Sequence, residues 1–485
     1  MHQGDQRQTG LDGPVRGAPS PVPPRGRFVL VLAGMLILAV VAAVLVRPWD
    51  GGAGGSVDGG PREERTAQPS PNQRSELTGE QAWAVAAATD DHAGHAGSFG
   101  SWLADGLLVR AHATGVAARA VATGRLKWTL PPPDGGEFCG VGQEDSDGRA
   151  VLAYGAVRQR EAAQGLTHVD CSAITLVDLA TGGRVWSADL RDTGHYRSLR
   201  EDGLSPPHRA SLAIVRQSVV VAYGRSAVGY DLADGVKRWE IKNVHGSCAF
   251  TDVLAAPDGA VMLASCDRSY PLAVFGVDPS TGARRWRTDL TAAQVGRDSG
   301  LGTWLVSARP VVLAAAHGRP RYLVLGKDRR RVTTIPQTGE YGTLDLSPVG
   351  LSGTDRGRFR ALVAGRTMVT LTTERKVNDY RSSNAVVAID LRNAGLLWSR
   401  SLGESATAIP ALIDRETAIV MRGGTYEEPP QAYRLKLVDG SGGAMGPAYS
   451  RDLIGLAPTA LFRFGGKRLF LVSEIHSKVS AVALR

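Results

Sequence analysis

Two hydrophobic patterns divide the chain. Residues 28–46, FVLVLAGMLILAVVAAVLV, are apolar throughout, without a charge or a proline. At about 1.5 Å per residue, a helix of that length spans roughly 28 Å, close to the hydrocarbon thickness of a bilayer. The stretch predicts one membrane-spanning helix. From about residue 78 the pattern changes. Short apolar or alternating runs such as SAITLVDL and LAVFGVD are separated by Gly, Asp and Pro, and no 3.6-residue period appears after residue 90. These runs predict β-strands joined by tight turns.

The strands recur in units. Asp178, Asp231, Asp278 and Asp390 each stand eight residues before a tryptophan, namely Trp186, Trp239, Trp286 and Trp398. A first copy keeps Gly124 and Trp128 but has Ala120 in the Asp position. A worn copy keeps Asp439, Gly442 and Gly443, with Pro447 where the tryptophan would be. Another keeps only an alternating strand ending at Asp328. Units of 46 to 62 residues suit a four-stranded blade of a β-propeller. Within a unit, Asp105-Gly106, Asp147-Gly148 and Asp258-Gly259 predict the first hairpin turns. The Asp-x-x-Thr-Gly stretch turns the chain before the fourth strand, where Asp bonds its own turn and Gly takes the left-handed conformation. One tryptophan per blade fills the gap between neighbouring sheets.

The last unit runs out of chain after its third strand, VSAVALR. Residues 82–88, AWAVAAA, precede the first full unit and carry Trp83. They are expected to supply the missing fourth strand, which ties the two ends of the fold together and removes open edges. The count is eight blades, with seven as the alternative because the fifth unit is degenerate and the 328–390 interval is long. Four cysteines allow three pairings. In the blade frame, Cys248 and Cys266 lie at adjoining strand ends and Cys139 and Cys171 share one edge of the second blade. Cys139–Cys171 and Cys248–Cys266 are the expected disulfides, which suits an oxidising compartment.

Charge adds orientation. Arg25 and Arg27 stand directly before the apolar stretch, with Arg7 and Arg16 further back, so the N-terminus is predicted to be cytoplasmic. Residues 1–27 read as a disordered tail and 47–77, rich in Gly and Pro, as a flexible linker. A retained helix is preferred to a cleaved signal peptide because the apolar core is long and VLVRPWD offers no clean cleavage site. The net charge of +9 permits anionic partners. The basic residues are scattered, with one dense run at Arg329-Arg330-Arg331, and nucleic acid is not an expected partner. Asp90, Asp91, His92 and His95 carry metal-competent side chains, but read as a polar loop. Asp145, Asp147 and Gly148 copy part of a calcium loop without its closing Glu and read as a turn.

The sentence DLATGGRVWSADL at 178–190 resembles the tryptophan-docking repeat of the quinoprotein, or PQQ-like, β-propeller family. The likeness covers roughly residues 80–485, with copies at 120–128, 178–186, 231–239, 278–286 and 390–398. It implies an all-β propeller. Some members are alcohol or glucose dehydrogenases carrying pyrroloquinoline quinone and calcium. Others are non-catalytic scaffolds, including an outer-membrane protein assembly lipoprotein, or membrane-anchored sensors. The adjacent-cysteine disulfide of the enzymes has no counterpart here, nor does the lipidated cysteine of that lipoprotein, and the enzymes' calcium site cannot be matched residue by residue. The expectation is a single-pass membrane protein whose extracytoplasmic, eight-bladed propeller (78–485) serves as an interaction or ligand-sensing module. It would have no catalysis of its own and would assign no catalytic, cofactor or metal residue. Its partners would be the bilayer, through residues 28–46, and another membrane or envelope protein. The alternative is a quinone-dependent dehydrogenase acting on an alcohol or sugar.

Overall fold

The computed structural model describes residues 81–86, 98–142, 146–161, 166–191, 210–242, 248–266, 272–296, 302–316, 319–346, 348–349, 358–359, 361–378, 381–403, 407–423, 429–449, 460–465, 468–473 and 479–484. They form an eight-bladed β-propeller of eight four-stranded antiparallel sheets, with three small two-stranded hairpins. Residues 71–485 make one compact unit. Among the described residues no helix is long and apolar enough to cross a membrane. The predicted helix at 28–46, the tail and the linker lie outside the described residues.

Each blade is a meander of neighbouring strands. Blade 3, for example, runs through Ser211–Val215, Ser218–Tyr223, Ser226–Asp231 and Lys237–Lys242. Its second and third strands, SVVVAY and SAVGYD, lie inside a stack of sheets. Their side chains are therefore buried on both faces, and the sequence reads as a continuous apolar run rather than a strict alternation. In the outer strand, KRWEIK, Lys237, Arg238 and Lys242 are exposed and Trp239 is buried.

The core sits between blades. One cluster joins Val151, Ile174 and Leu176 of blade 2 to Leu212, Val219, Val221 and Val228 of blade 3. Others repeat this pairing around the ring. Each blade thus lends one face to each neighbour, and no blade has a core of its own.

The ring closes as the sequence predicts. Gln81–Ala86 pairs antiparallel with Val479–Leu484, with Ala84 opposite Val482. The last blade is completed by the first strand of the chain. Leu108 of blade 1 packs with Phe470, Val472, Ala481 and Ala483 of blade 8, and Trp83 packs against the same cluster. Arg463 donates from Nε to the Ser101 carbonyl at 2.8 Å. Residues 71–485 therefore hold every strand of the ring, its closure and both disulfides in one compact unit, and this fragment is expected to fold without the residues before it.

The expected count of eight blades holds, and the long 328–390 interval, the ground for the alternative of seven, holds hairpins at 338–343 and 375–383 and a two-residue pairing of 348–349 with 358–359. Three sequence expectations need correction. In blade 5 the Asp position belongs to Gly326, whose N–H bonds the Arg331 carbonyl as that of Asp178 bonds Gly183. Asp328 instead accepts from the N–H groups of Arg330 and Arg331. In blade 7 the position belongs to Lys436, whose carbonyl accepts from Gly440 at 2.9 Å; the residue eight further on is Ala444, paired with Tyr433, not Pro447. The blade 4 hairpin turns on Pro257-Asp258, and Gly259 already pairs with Ala256 in the strand.

Both expected disulfides form. Cys248–Cys266 joins the ends of neighbouring strands. Cys139–Cys171 does not: Cys139 lies in the first strand of blade 2 and Cys171 in the third. Gly155 of the strand between them is paired with both Glu137 and Cys171. A Cβ there would sit 1.5 Å from the Asp170 carbonyl oxygen, so glycine is needed where the three strands crowd together.

Candidate interaction surface

One face of the ring carries the turns between the first and second strands of the blades and, in every blade but the eighth, the turn between the third and fourth strands. On it, the Asp-x-x-Thr-Gly stretch builds itself by local hydrogen bonds. Asp178 Oδ1 accepts from the Thr181 N–H at 2.8 Å and its hydroxyl at 2.9 Å. The Gly182 N–H returns to the Asp178 carbonyl at 2.8 Å, which requires φ of 73° at Gly182. Asp278 does the same with Ser280 and Thr281.

These bonds hold the turn carboxylates below the usual aspartate range. The Thr181 N–H is the main cause at Asp178 and the Ser280 hydroxyl, followed by Arg285, at Asp278. The Ala233 N–H leads at Asp231, ahead of Arg238. Arg392 leads at Asp390. Between the depressed pKa and the ordinary value of about 3.9, the unfolded chain binds more protons than the folded one. Stability is therefore complete above about pH 5 and is lost as pH falls through that window. The melting temperature of fragment 71–485 should be flat from pH 8 to 5 and drop between 4 and 3. A rise on acidification would contradict the assignment.

In six of the eight blades the fourth strand carries a tryptophan that lies on the turn of the next blade; blades 5 and 7 have Thr334 and Ala444 in its place. Added Cβ atoms at Gly124, Gly182, Gly235, Gly282 and Gly440 would sit 2.6–2.8 Å from the rings of Trp83, Trp128, Trp186, Trp239 and Trp398. The indole N–H of Trp83, Trp186, Trp239 and Trp398 donates to the second carbonyl of that turn, at 2.8–3.0 Å. Glycine thus serves twice, permitting the left-handed backbone and leaving room for the ring. Trp286 meets a different turn. Arg329 takes the left-handed position there, with φ 58°, and its guanidinium lies 4.8 Å from the Trp286 ring centroid, within cation–π range.

Where blade 5 lacks the tryptophan, blade 6 lacks the glycine. Thr334 stands eight residues after Gly326, and Ala394, with φ 61°, occupies the left-handed position of the blade 6 turn. The hairpin after blade 5 joins the two blades instead: Glu340 accepts from the Leu396 N–H at 2.7 Å, and Tyr341 is buried in the cluster that Ala394 packs against. Ala394 retains a Cβ penalty of about 1–2 kcal/mol; glycine would remove it while adding about 0.4–1 kcal/mol of unfolded-chain entropy. Ala394→Gly should therefore stabilise the protein by about 0.5–1 kcal/mol, read as a higher urea midpoint at unchanged slope.

Inside the ring, Asp252 ties three blades. Its carboxylate accepts from the Ser211 hydroxyl at 3.1 Å and the Leu305 N–H at 3.0 Å, while Ser211 Oγ accepts from the Val253 N–H. Asn384 ties blade 6 to blade 7 by exchanging two hydrogen bonds with the backbone of Ala408.

Of the sequence-stretch candidates, Asp90, Asp91, His92, His95 and Asp145 lie outside the described residues. Asp147-Gly148 forms the expected hairpin turn, with φ of 52° and 69°. Among the described residues no three His, Cys, Asp or Glu side chains converge as a metal site.

Charge on the turn face is uneven, which the sequence did not reveal. In blades 3 and 4 arginines are matched by turn carboxylates: Arg238 is 3.0 Å from Asp231 and from Asp234, and Arg285 is 2.5 Å from Asp278. Blade 5 carries Lys327, Arg329, Arg330 and Arg331 in one turn and Arg309 in the other, against Asp328. Blade 6 adds Arg366 and Arg392, which share Asp390. These residues are scattered over more than eighty positions of sequence, and only the blade assignment brings them to one sector.

Residues 170–340, from the third strand of blade 2 to the hairpin after blade 5, match a PQQ-type family model described as outer membrane protein assembly factor BamB. The chain is an eight-bladed β-propeller whose residues 170–340 match the PQQ-like repeat. BamB from Moraxella catarrhalis aligns with a TM-score of 0.47 and 14% identity, over 84% of this chain and 99% of that one. The quinohemoprotein alcohol dehydrogenase ADHIIG from Pseudomonas putida HK5 aligns with a TM-score of 0.48 and 11% identity, over 83% and 75%. The quinohemoprotein alcohol dehydrogenase from Comamonas testosteroni gives 0.46 and 11%, over 84% and 76%. No curated protein matches the sequence significantly.

Proposed function

We propose that the protein is a membrane-anchored, extracytoplasmic scaffold that binds another envelope protein through its propeller and performs no chemistry of its own. The observation that carries this is the use made of the repeated residues. The motif Asp, Gly and Trp are spent on joints between blades, and the buried carboxylate Asp252 is spent on tying three inner strands. What differs from blade to blade is the exposed turn surface, and variable loops on a stiff frame are where recognition resides. The family model matched by residues 170–340 is described as an assembly factor, which is a role of this kind. The apolar stretch 28–46 and the arginines before it supply the anchor and its orientation.

Three measurements test this. Photo-crosslinkers placed on the turn face in cells should capture a membrane or envelope protein. Protease added to intact cells should digest the propeller, and full protection would overturn the orientation. Purified full-length protein titrated with pyrroloquinoline quinone and calcium should show no stoichiometric binding and no dye-linked oxidation of alcohols or sugars. Stoichiometric binding with turnover would overturn the scaffold reading in favour of the dehydrogenase.

A further inference from the structure

The turns of blades 5 and 6 make a basic arc. Lys327, Arg330 and Arg331 are exposed in the outer turn of blade 5, and Arg309 in its inner turn. Arg366 and Arg392 are exposed in the two turns of blade 6. The side chain of Arg331 is 91% exposed, and those of Arg366 and Arg392 are 61% and 64%. Asp328, Asp390 and Glu340 are the carboxylates near them; Asp390 already serves two arginines, and Glu340 accepts from the Leu396 N–H. The neighbouring turns of blade 4 are balanced by Asp258 and Asp278, and those of blade 7 carry Asp414, Glu416 and Asp439. Blades 5 and 6 thus carry more unmatched positive charge than either neighbouring blade.

Topology places this sector on the face where the chain enters the ring. The closing strand begins at Gln81 beside Leu484, where the other blades have their third turn. From there Trp83 reaches the blade 1 turn at Val121. Gln81, where the described chain enters the ring, therefore lies on the turn face. The arc also lacks the exposed aromatic rings that serve as base-stacking platforms in proteins binding single-stranded nucleic acid: the large exposed hydrophobics among the described residues are aliphatic, and Tyr341 is 5% exposed.

We propose that the basic arc of blades 5 and 6 docks on anionic phospholipid headgroups. Each Lys or Arg near an anionic bilayer adds to the attraction, and the effect is screened within about 8–10 Å at physiological salt. The proposed anchor at residues 28–46 raises the local concentration of that surface, so modest intrinsic affinity suffices. The docking itself does not depend on whether residues 28–46 span a bilayer, because the test uses a fragment without them.

Fragment 71–485 is sedimented with vesicles of phosphatidylcholine alone or mixed with phosphatidylglycerol, at 50 and 500 mM salt. Binding to the mixed vesicles at low salt and release at high salt is expected. The variant K327Q/R330Q/R331Q/R366Q should bind at least about tenfold more weakly. The variant R125Q/K127Q/R415Q/K436Q removes the same charge elsewhere on this face and should bind nearly as the parent. Circular dichroism melts confirm that each variant is folded; a variant that fails to fold is replaced by Lys substitutions of the arginines, which should keep binding. The proposal is overturned if the parent fragment does not sediment, if it binds neutral vesicles equally, or if the two quadruple variants weaken alike. Binding to duplex or single-stranded DNA without vesicle binding would also overturn it.

Discussion

Trp239→Ala destabilises the propeller by about 3–5 kcal/mol. The ring is 8% exposed and lies between two glycines. A Cβ on Gly282 of the next blade would fall 2.7 Å from it, and one on Gly229 of its own blade 2.1 Å. Its N–H donates to the Pro279 carbonyl at 2.8 Å, and that carbonyl would lose its partner. Because both flanking positions are glycine, no side chain stands ready to fill the gap, and collapse recovers little of the loss. Urea denaturation of fragment 71–485 reads the effect. Val185→Ala, at a site 40% exposed on an outer strand, serves as the control and should shift stability by less than about 0.5 kcal/mol. An equally small shift for Trp239→Ala would mean that the repeated tryptophans are not the joints of the ring.

Removing the closing strand should cost more. A fragment starting at residue 88 lacks Gln81–Ala86, which leaves Val479–Leu484 as an unpaired edge. It also uncovers Gly124 and takes away the Trp83 N–H that the Val121 carbonyl accepts. Some closure survives, since Arg468 still reaches the Val121 and Ala122 carbonyls and Arg463 the Ser101 carbonyl. The loss of one tryptophan joint and a strand ladder is expected to exceed about 5 kcal/mol. The exposed edge is a template for pairing with other copies. Light scattering should find the fragment from residue 71 monomeric and the one from residue 88 associating. A monomeric fragment with an unchanged melting temperature would show that the strand is dispensable.

Much of this frame was legible in the sequence because the joint uses side chains. Trp186, Trp239 and Gly182 are needed for what they are, so their spacing survives as a pattern. The turn before the fourth strand is different. Its essential bonds run between backbone groups, as in Gly440 to the Lys436 carbonyl and Gly326 to the Arg331 carbonyl. Any residue can supply these, and an Asp nearby in sequence, such as Asp328 or Asp439, misplaces the register by two or three residues. The path of Cys139–Cys171 past the second strand was hidden because it depends on local crowding at Gly155, which the residue types alone do not reveal. The basic arc was hidden for another reason. Arg309, Arg331, Arg366 and Arg392 are far apart along the chain, and only the stacking of two blades makes them neighbours. The joints were therefore readable and the surface was not, although the proposed scaffold role resides in the surface.

The central claim is that one ring of eight blades is closed by the first strand of the fold. Hydrogen–deuterium exchange on the full-length protein tests it most directly. The peptide covering 81–86 should be protected, because its one sheet partner is 479–484, and the peptide covering 479–484, which is also held by 468–473, should be protected at least as long. Exchange of 81–86 within seconds, while the strands at 219–223 and 260–264 stay protected, would contradict the closure and with it the eight-bladed ring.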